Sequence, residues 1–354
     1  MMKKLLRKAF NKQTAPPPET GGRITNETVA EHRERVLAGG RKFKYPLQYT
    51  KHRVLIVTVL IVVITTISFV AFFGWQLYGG QSTDKFIYSL TQFAPVPVAK
   101  VNGAWVRYSD YLLELRSAIH YLSTKEAVNF NSDDGKRQLD YQKRLALNKS
   151  TENTLVAQLA SEQKISVSQK EVDDFVKLQI SANRLGVNES VYKQVIRDYY
   201  DWSFDEYKNS IREQLLRKKV MAQLDTESKQ KIEAIMKSLQ QGNEFGAVAK
   251  DHSEDVATKT QGGDVGIVNK NTEDPNGLIL AASQLQPGQI SGVIEGVDGF
   301  YIVKLLEKRE AGDLHIAKIY VSYKVLDKKL AELKQQGQIQ EFISVKQIDR
   351  PNNQ

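Results

Sequence analysis

The sequence predicts an α+β protein carried on a single N-terminal transmembrane helix, and three observations support this. An uncharged apolar run extends from Val54 to Tyr78. Helical periodicity with regular punctuation fills the stretch from about Asn148 to Leu224, and near Thr226 the texture changes to short helices alternating with strands and glycine turns.

The apolar run is 25 residues, and no charge occurs between Arg53 and Asp84. At 1.5 Å per residue it is long enough to cross a bilayer. It begins after 53 residues and ends in aromatics, unlike a cleaved signal peptide, so residues 54–79 are expected to stay as a membrane anchor. Arg41, Lys42, Lys44, Lys51 and Arg53 crowd the flank before it, whereas GGQSTD follows it. The positive-inside rule therefore places residues 1–53 in the cytoplasm as a basic tail and the main body outside the cell (inner) membrane.

The net charge of +9 resides in that tail, where residues 1–53 hold 13 Lys+Arg against 4 Asp+Glu and the rest hold 37 of each. A neutral body offers phosphate backbones nothing, so no nucleic-acid partner is expected. The absence of cysteine excludes disulfides, thiolate metal sites and thiol catalysis. The tail opens with MMKKLLRKAF, a basic amphipathic segment, passes through Pro16-Pro17-Pro18, and then forms a helix over about Glu27–Ala38 stopped by Gly39-Gly40.

Beyond the anchor, residues 80–95 read as a linker. VPVAKVNGAWVRYSDYLLEL reads as a hairpin turned at Asn102-Gly103, then a helix capped by Ser109 with Leu112, Leu115 and Ile119 on one face. Residues 96–225 form a helical domain, with breaks at Ser166–Ser168 and a stop at Gly186. Residues 226–323 form a compact α+β unit: two helices, the strand VGIVNK, the helical turn GLILAASQL, a hairpin closed at Val297-Asp298-Gly299, and the strand LHIAKIYVSY. Residues 324–354 add a helix stopped by Gly337 and a last strand alternating through Ile339, Phe342 and Val345.

The glycines of TQGGDVGIV, namely Gly262, Gly263 and Gly266, do not form a phosphate cradle. Nucleotide motifs place a strand before the glycines and a helix after, and here the order is reversed. They read as a turn supplying positive φ before a strand, with Asp264 inside it. Asp251, His252 and Ser253 are neighbours in sequence and cannot converge as a hydrolase triad. His120 reads as a packed residue, and the histidines show no ligand spacing, so neither metal nor cofactor is expected.

SEDVATKTQGGDVG followed by ASQLQPGQISGVIEGVDGFYIVKLLEK resembles the parvulin-type (PpiC, rotamase) peptidyl-prolyl cis-trans isomerases over about Thr226 to Lys308. ALNKSTENTLVAQLASEQKISVSQKEVDDFV, FDEYKNSIREQLLRKKV and VAKVNGAWVRYSDY are similar to the chaperone domain of SurA- and PrsA-type foldases. The resemblance implies a membrane-anchored foldase. Its parvulin-like domain is inserted into a helical chaperone domain, and residues 325–348 return beside the 96–108 hairpin. Its partners would be unfolded or proline-containing polypeptide clients.

The resemblance places Asp255 where the family carries its central Asp or Cys, with Ser253 before it. Tyr301 stands where the closing strand carries a histidine. The pocket methionine and phenylalanine positions fall on Asp274 and Leu278, with Leu285 beside them as a further substrate-binding position. The expected catalytic set is thus Asp255, Tyr301 and His315, with Ser253, Asp274, Leu278 and Leu285 around the substrate. Because the pocket and one histidine are altered, the resemblance also allows a weak or inactive isomerase acting as a holdase, or an envelope scaffold. The family's opening His-Ile-Leu strand is missing before the first helix. LHIAKIYVSY either fills that slot from downstream, bringing His315 to the site, or merely extends the last hairpin.

Overall fold

The computed structural model describes residues 25–44, 46–182, 188–269, 272, 274–309 and 312–346. MMKKLLRKAF, the triproline and the expected stop at Gly186 lie outside them. The chain divides into two compact units, Met1–Phe72 and Phe73–Gln354.

In the first unit, helix α1 (Asn26–Lys44) runs through Gly39-Gly40 and does not stop there. Glycine weakens a helix by only about 1 kcal/mol and ends one when it adopts a left-handed conformation. Helix α2 (Pro46–Gly74) starts in this unit. The stretch His52–Gly79 is long and apolar enough to cross a membrane. Two of its hydroxyls bond back into the helix, Thr58 donating to the carbonyl of Val54 (2.9 Å) and Thr66 to that of Val62 (2.8 Å).

The second unit begins at the end of α2, which tightens into a π-turn over Trp75–Gly79. The stretch 80–95, expected as a linker, contains helix α3 (Lys85–Phe93) with Ile87 and Thr91 buried. Its nine residues carry an apolar position on the inner face, which a linker lacks. Strands β1 (Pro97–Val101) and β2 (Ala104–Arg107) form the hairpin, with Asn102 and Gly103 at φ 46° and 85° as a tight primed turn demands. Helix α4 (Tyr108–Thr124) starts one residue before Ser109. Ser109 is buried in the first turn and bonds Asp110, so it is not the cap.

Helices α5 (Asp133–Glu162), α6 (Gln169–Ala182), α7 (Glu189–Tyr200) and α8 (Phe204–Leu224) complete the helical part. Ser132 and Asn188 cap α5 and α7, and Ser203 with Glu206 makes a reciprocal capping box on α8. Helix α9 (Thr226–Gln240) follows directly.

A four-stranded antiparallel sheet of order β3-β6-β5-β4 is built from β3 (Asp264–Val268), β4 (Ile294–Glu295), β5 (Gly299–Lys308) and β6 (Leu314–Ser322). Strand alternation gives it two greasy faces. Phe300, Ile302, Ala317, Ile319 and Val321 share a core with Ile232 and Ile235 of α9 and with Phe245, Val248 and Ala249 of α10 (Phe245–His252). On the other face Val303, Leu305, Leu314 and Ile316 pack on Ile279 and Ala282 of α11 (Leu278–Ser283). The strand LHIAKIYVSY, for which two placements were open, is central: β6 pairs with β3 on one side and with β5 over nine registered positions on the other.

After β6 the chain forms α12 (Val325–Gln335) and β7 (Ile339–Glu341), and β7 pairs antiparallel with β1 in a sheet of order β2-β1-β7. The last strand thus joins the first hairpin across the whole α+β unit. Arg144 fixes the return, donating to Glu341 (2.6 Å) and to the carbonyls of Lys346 (3.1 Å) and Val345 (2.5 Å). Where the chain leaves and re-enters the helical part, Asp225 is 3% exposed and accepts from the backbone N–H of Ser228 (2.9 Å), Lys324 (2.5 Å) and Val325 (3.1 Å).

Candidate active site of the four-stranded sheet

The register of β5 on β6 sets Tyr301 directly opposite Tyr320. The rings stack with centroids 4.8 Å apart. Tyr301 donates its hydroxyl hydrogen to the carboxylate of Asp298 (2.7 Å) and accepts from Asn276 (3.2 Å), whose side-chain oxygen in turn accepts from the N–H of Val297 (2.8 Å). Tyr320 donates to the carbonyl of Asp298 (3.1 Å). Burial, with the charge of Asp298, pushes both phenols well above their usual range, so both are neutral at physiological pH.

The loop after α10 is zipped to β6 at the same level. Glu254 donates its N–H to the carbonyl of Tyr320 (2.8 Å). The hydroxyl of Ser253 accepts from the N–H of Tyr320 (3.2 Å) and of Asp255 (3.3 Å), and Ser253 is fully buried. Ser253 therefore holds the loop to the strand. The loop delivers Asp255, which accepts from the hydroxyl of Thr258 (2.6 Å) and pairs with the ammonium of Lys318 (3.1 Å). Burial opposes ionisation of Asp255, but Thr258 and Lys318 outweigh it and hold the carboxyl below its ordinary range. Its charge contributes to raising both tyrosines.

The glycine turn positions this loop against the sheet. Gly263 has φ 83°, and a Cβ there would lie 2.4 Å from the carbonyl oxygen of Lys318. Lys318 donates its N–H to the carbonyl of Gly263 (2.8 Å), so close backbone approach is what brings Lys318 and Asp255 together. Gly262 and Gly266 also have positive φ, and the side chain of Asp264 accepts from the N–H of Gly266 (2.7 Å).

One expected site residue stands elsewhere, and another is engaged in capping a helix. His315, expected beside Asp255 and Tyr301, bonds Asp264 (2.8 Å) at the far end of β6. It is five positions from Tyr320, about 17 Å along the strand and, by the odd spacing, on the opposite face. Asp274, expected in the substrate pocket, accepts from the N–H of Leu278 (2.7 Å) and of Leu280 (3.0 Å). Its carboxylate caps α11, whose first N–H groups have no other partner in the helix. Leu278, Leu285 and Ile294 each pack against the smaller core. Sequence reasoning missed Asn276, Asp298, Lys318 and Tyr320. Their signal is the alternation of Lys318 and Tyr320 on one face of β6, which becomes readable only once the register with Tyr301 is known.

A concavity of about 240 Å³ lies in the helical part, lined by Trp105, Asp110, Glu213 and Leu216 among others. Burial, then the charges of Asp110 and Glu114, raise the Glu213 carboxyl to about 7. No group of three or more His, Cys, Asp or Glu able to hold a metal ion occurs among the described residues.

Two family profiles match the chain. A SurA-like N-terminal domain covers residues 48–221, and a PPIC-type PPIASE domain of the rotamase family covers residues 215–307. The chain carries a rotamase domain joined to a SurA-like N-terminal domain. The rotamase match ends seven residues before β6, so the central strand of this sheet lies downstream of the matched residues. The chain is 28% identical over 235 residues to the foldase protein PrsA of Caldanaerobacter subterraneus subsp. tengcongensis, a match covering 58% of this chain and 72% of that protein. It is 30% identical over 146 residues to the foldase protein PrsA of Streptococcus sanguinis, covering 39% of this chain but only 42% of that relative. Among solved structures, the peptidylprolyl isomerase PrsA of Bacillus anthracis matches at 22% identity and a TM-score of 0.17, covering 52% of this chain and 88% of that one. The foldase PrsA of Streptococcus pneumoniae matches at 18% and 0.21, covering 58% and 81%. Superpositions this loose add nothing to the domain assignment.

Proposed function

We propose that this chain is a membrane-anchored, extracytoplasmic foldase of the parvulin peptidyl-prolyl isomerase family, with residues 54–79 in the membrane and unfolded, proline-bearing polypeptides as clients. The observation that carries the reading is the convergence of Asp255, Lys318, Tyr301 and Tyr320 on one face of the rotamase sheet. Rotation about an X-Pro bond faces a barrier of about 18–20 kcal/mol and needs no covalent step. A site has only to hold the proline ring and favour the twisted amide over the planar one. The stacked tyrosine rings, with Leu278 and Leu285 on the neighbouring core, supply the apolar floor, and Asp255 with Lys318 supplies the polar group.

A second reading, a holdase with slow or no isomerisation, is favoured by one observation. The hydrogens of both phenols are already committed to Asp298, leaving neither free to meet a client carbonyl. The full chain in detergent micelles, added to an X-Pro peptide followed by NMR exchange, separates the two. Accelerated exchange, lost in Asp255→Ala, supports the isomerase. Unchanged exchange with retained suppression of client aggregation supports the holdase, and loss of both overturns the foldase reading.

A further inference from the structure

The segment that leaves the membrane span is locked to the folded body. Leu77 is fully buried, and Tyr108 donates to its carbonyl (2.6 Å). Tyr78 donates to the carbonyl of Pro97 (2.7 Å), Gln81 to that of Ser344 (2.9 Å) and Arg116 to that of Thr83 (2.7 Å). The inner face of α3 is held equally firmly. Ile87 and Thr91 are buried, Tyr88 donates to Glu206 (2.5 Å), and the Arg116 guanidinium lies 5.2 Å from the centre of the Tyr88 ring.

The outer face of α3 is different. Phe86 is 66% exposed and Phe93 is 96% exposed. Seven residues apart, they fall within about 20° of each other around the helix, with Ser89 between them along the axis. Two large aromatic side chains left exposed on one stripe offer a contact surface.

We propose that α3 is an interfacial helix whose Phe86 and Phe93 seat in the headgroup boundary of the bilayer crossed by α2. The inference rests on the reading of residues 54–79 as a membrane anchor. Chain length selects lipid as the occupant. Six peptide steps separate Gly79 from Lys85 and span at most about 20 Å, and the N–H of Ser82 turns back to the carbonyl of Gln76 (2.9 Å), shortening that reach. The polar boundary of a bilayer adds several ångströms on each side of a hydrocarbon core of about 30 Å, and amphipathic helices lie about 5–10 Å into it. Trp75, on the last turn of the span, is 63% exposed and stands where interfacial aromatics gather. Lys85, next to Phe86, suits the same location, because its stem can lie along apolar surface while its ammonium reaches lipid phosphate. Helix α3 is then a second membrane attachment, next in sequence to the span.

The chain has no cysteine, so single nitroxide labels report one position each. Full-length Ser89→Cys, Phe69→Cys and Ser161→Cys variants are labelled and reconstituted in phosphatidylcholine vesicles containing one quarter phosphatidylglycerol. Collision with oxygen is compared with collision with a water-soluble nickel complex. The label at position 89 is expected to show a several-fold higher oxygen-to-nickel ratio than the exposed α5 control at position 161, approaching that at position 69 within the span. Adding Phe86→Asp and Phe93→Asp is expected to return position 89 to the aqueous ratio while position 69 is unchanged. An aqueous ratio at 89 with a lipid ratio at 69 overturns the inference and leaves the anchor standing. An aqueous ratio at both overturns the anchor and the inference with it. Shielding of position 89 only after an unfolded polypeptide is added assigns the stripe to clients and also overturns the inference.

Discussion

Replacing Asp225 by alanine is expected to destabilise the second unit by about 3–5 kcal/mol. Its carboxylate caps α9 through the N–H of Ser228 and holds the N–H groups of Lys324 and Val325, where the chain returns to the helical part. Loss of the cap costs about 1 kcal/mol, and each further donor left without an acceptor costs about 1–3 kcal/mol, toward the low end at partly exposed positions. Asp225→Asn keeps one acceptor oxygen and is expected to lose about half as much. The assay is urea unfolding of the full chain in micelles, followed by tryptophan fluorescence, with the shift in midpoint converted at constant slope. The melting point should fall in parallel by roughly 2–4 °C per kcal/mol for a unit of this size. An alanine variant within about 1 kcal/mol of the parent, or an asparagine variant as damaged as alanine, would refute the clamp.

Gly263→Ala is expected to be among the most damaging single changes in the rotamase domain, because the new Cβ meets the Lys318 carbonyl at 2.4 Å with φ at 83°. Its midpoint and any isomerase activity should fall together, whereas Gly266→Ala, with open space around its Cβ, should cost only backbone strain. Glu254 bonds Lys231, Lys324 and Ser322, which, against the opposing effect of burial, depress its carboxyl from 4.5 to about 2. A depressed folded value gives stability that is present above pH 4.5 and lost as the pH falls toward 2. Glu254→Gln should therefore cost roughly 1–2 kcal/mol at pH 7, after discounting for solvent screening, and converge with the parent near pH 2 in urea titrations. Glu213 has the opposite sign: its raised carboxyl destabilises the folded state as the pH climbs from 4.5 toward 7, so Glu213→Gln should flatten the fall in melting point over that window. Tyr320→Ala removes half of the stacked floor and should weaken client-peptide binding measured by NMR titration, while Tyr320→Phe, which keeps the ring, should retain most of it.

Local chemistry was readable from the sequence. Asn102-Gly103 specifies its hairpin, and the uncharged run from Val54 specifies its helix, because each depends only on near neighbours. The glycine turn was also readable, although the reason for Gly263 was not, since the carbonyl it must approach belongs to Lys318, fifty-five residues later. The same distance in sequence hid half of the candidate site. Asp255 and Tyr301 follow from the family pattern, but Tyr320 and Lys318 are chosen by strand register, and His315 was a plausible substitute only while the register was unknown. Helix α3 escaped because its two phenylalanines point away from the body, which blurs the apolar periodicity that marks a helix.

The position of β6 bears on how the protein comes to be assembled. Both of its neighbours are made before it, so a growing chain emerging N-terminus first carries β3 and β5 with bare edges until the segment from Leu314 to Ser322 appears. Closure of the sheet then falls near the end of synthesis and couples directly to arrival of β7 at β1. The sheet is thus incomplete until almost all of the chain has been made, and its unfinished edges are the part most in need of shelter.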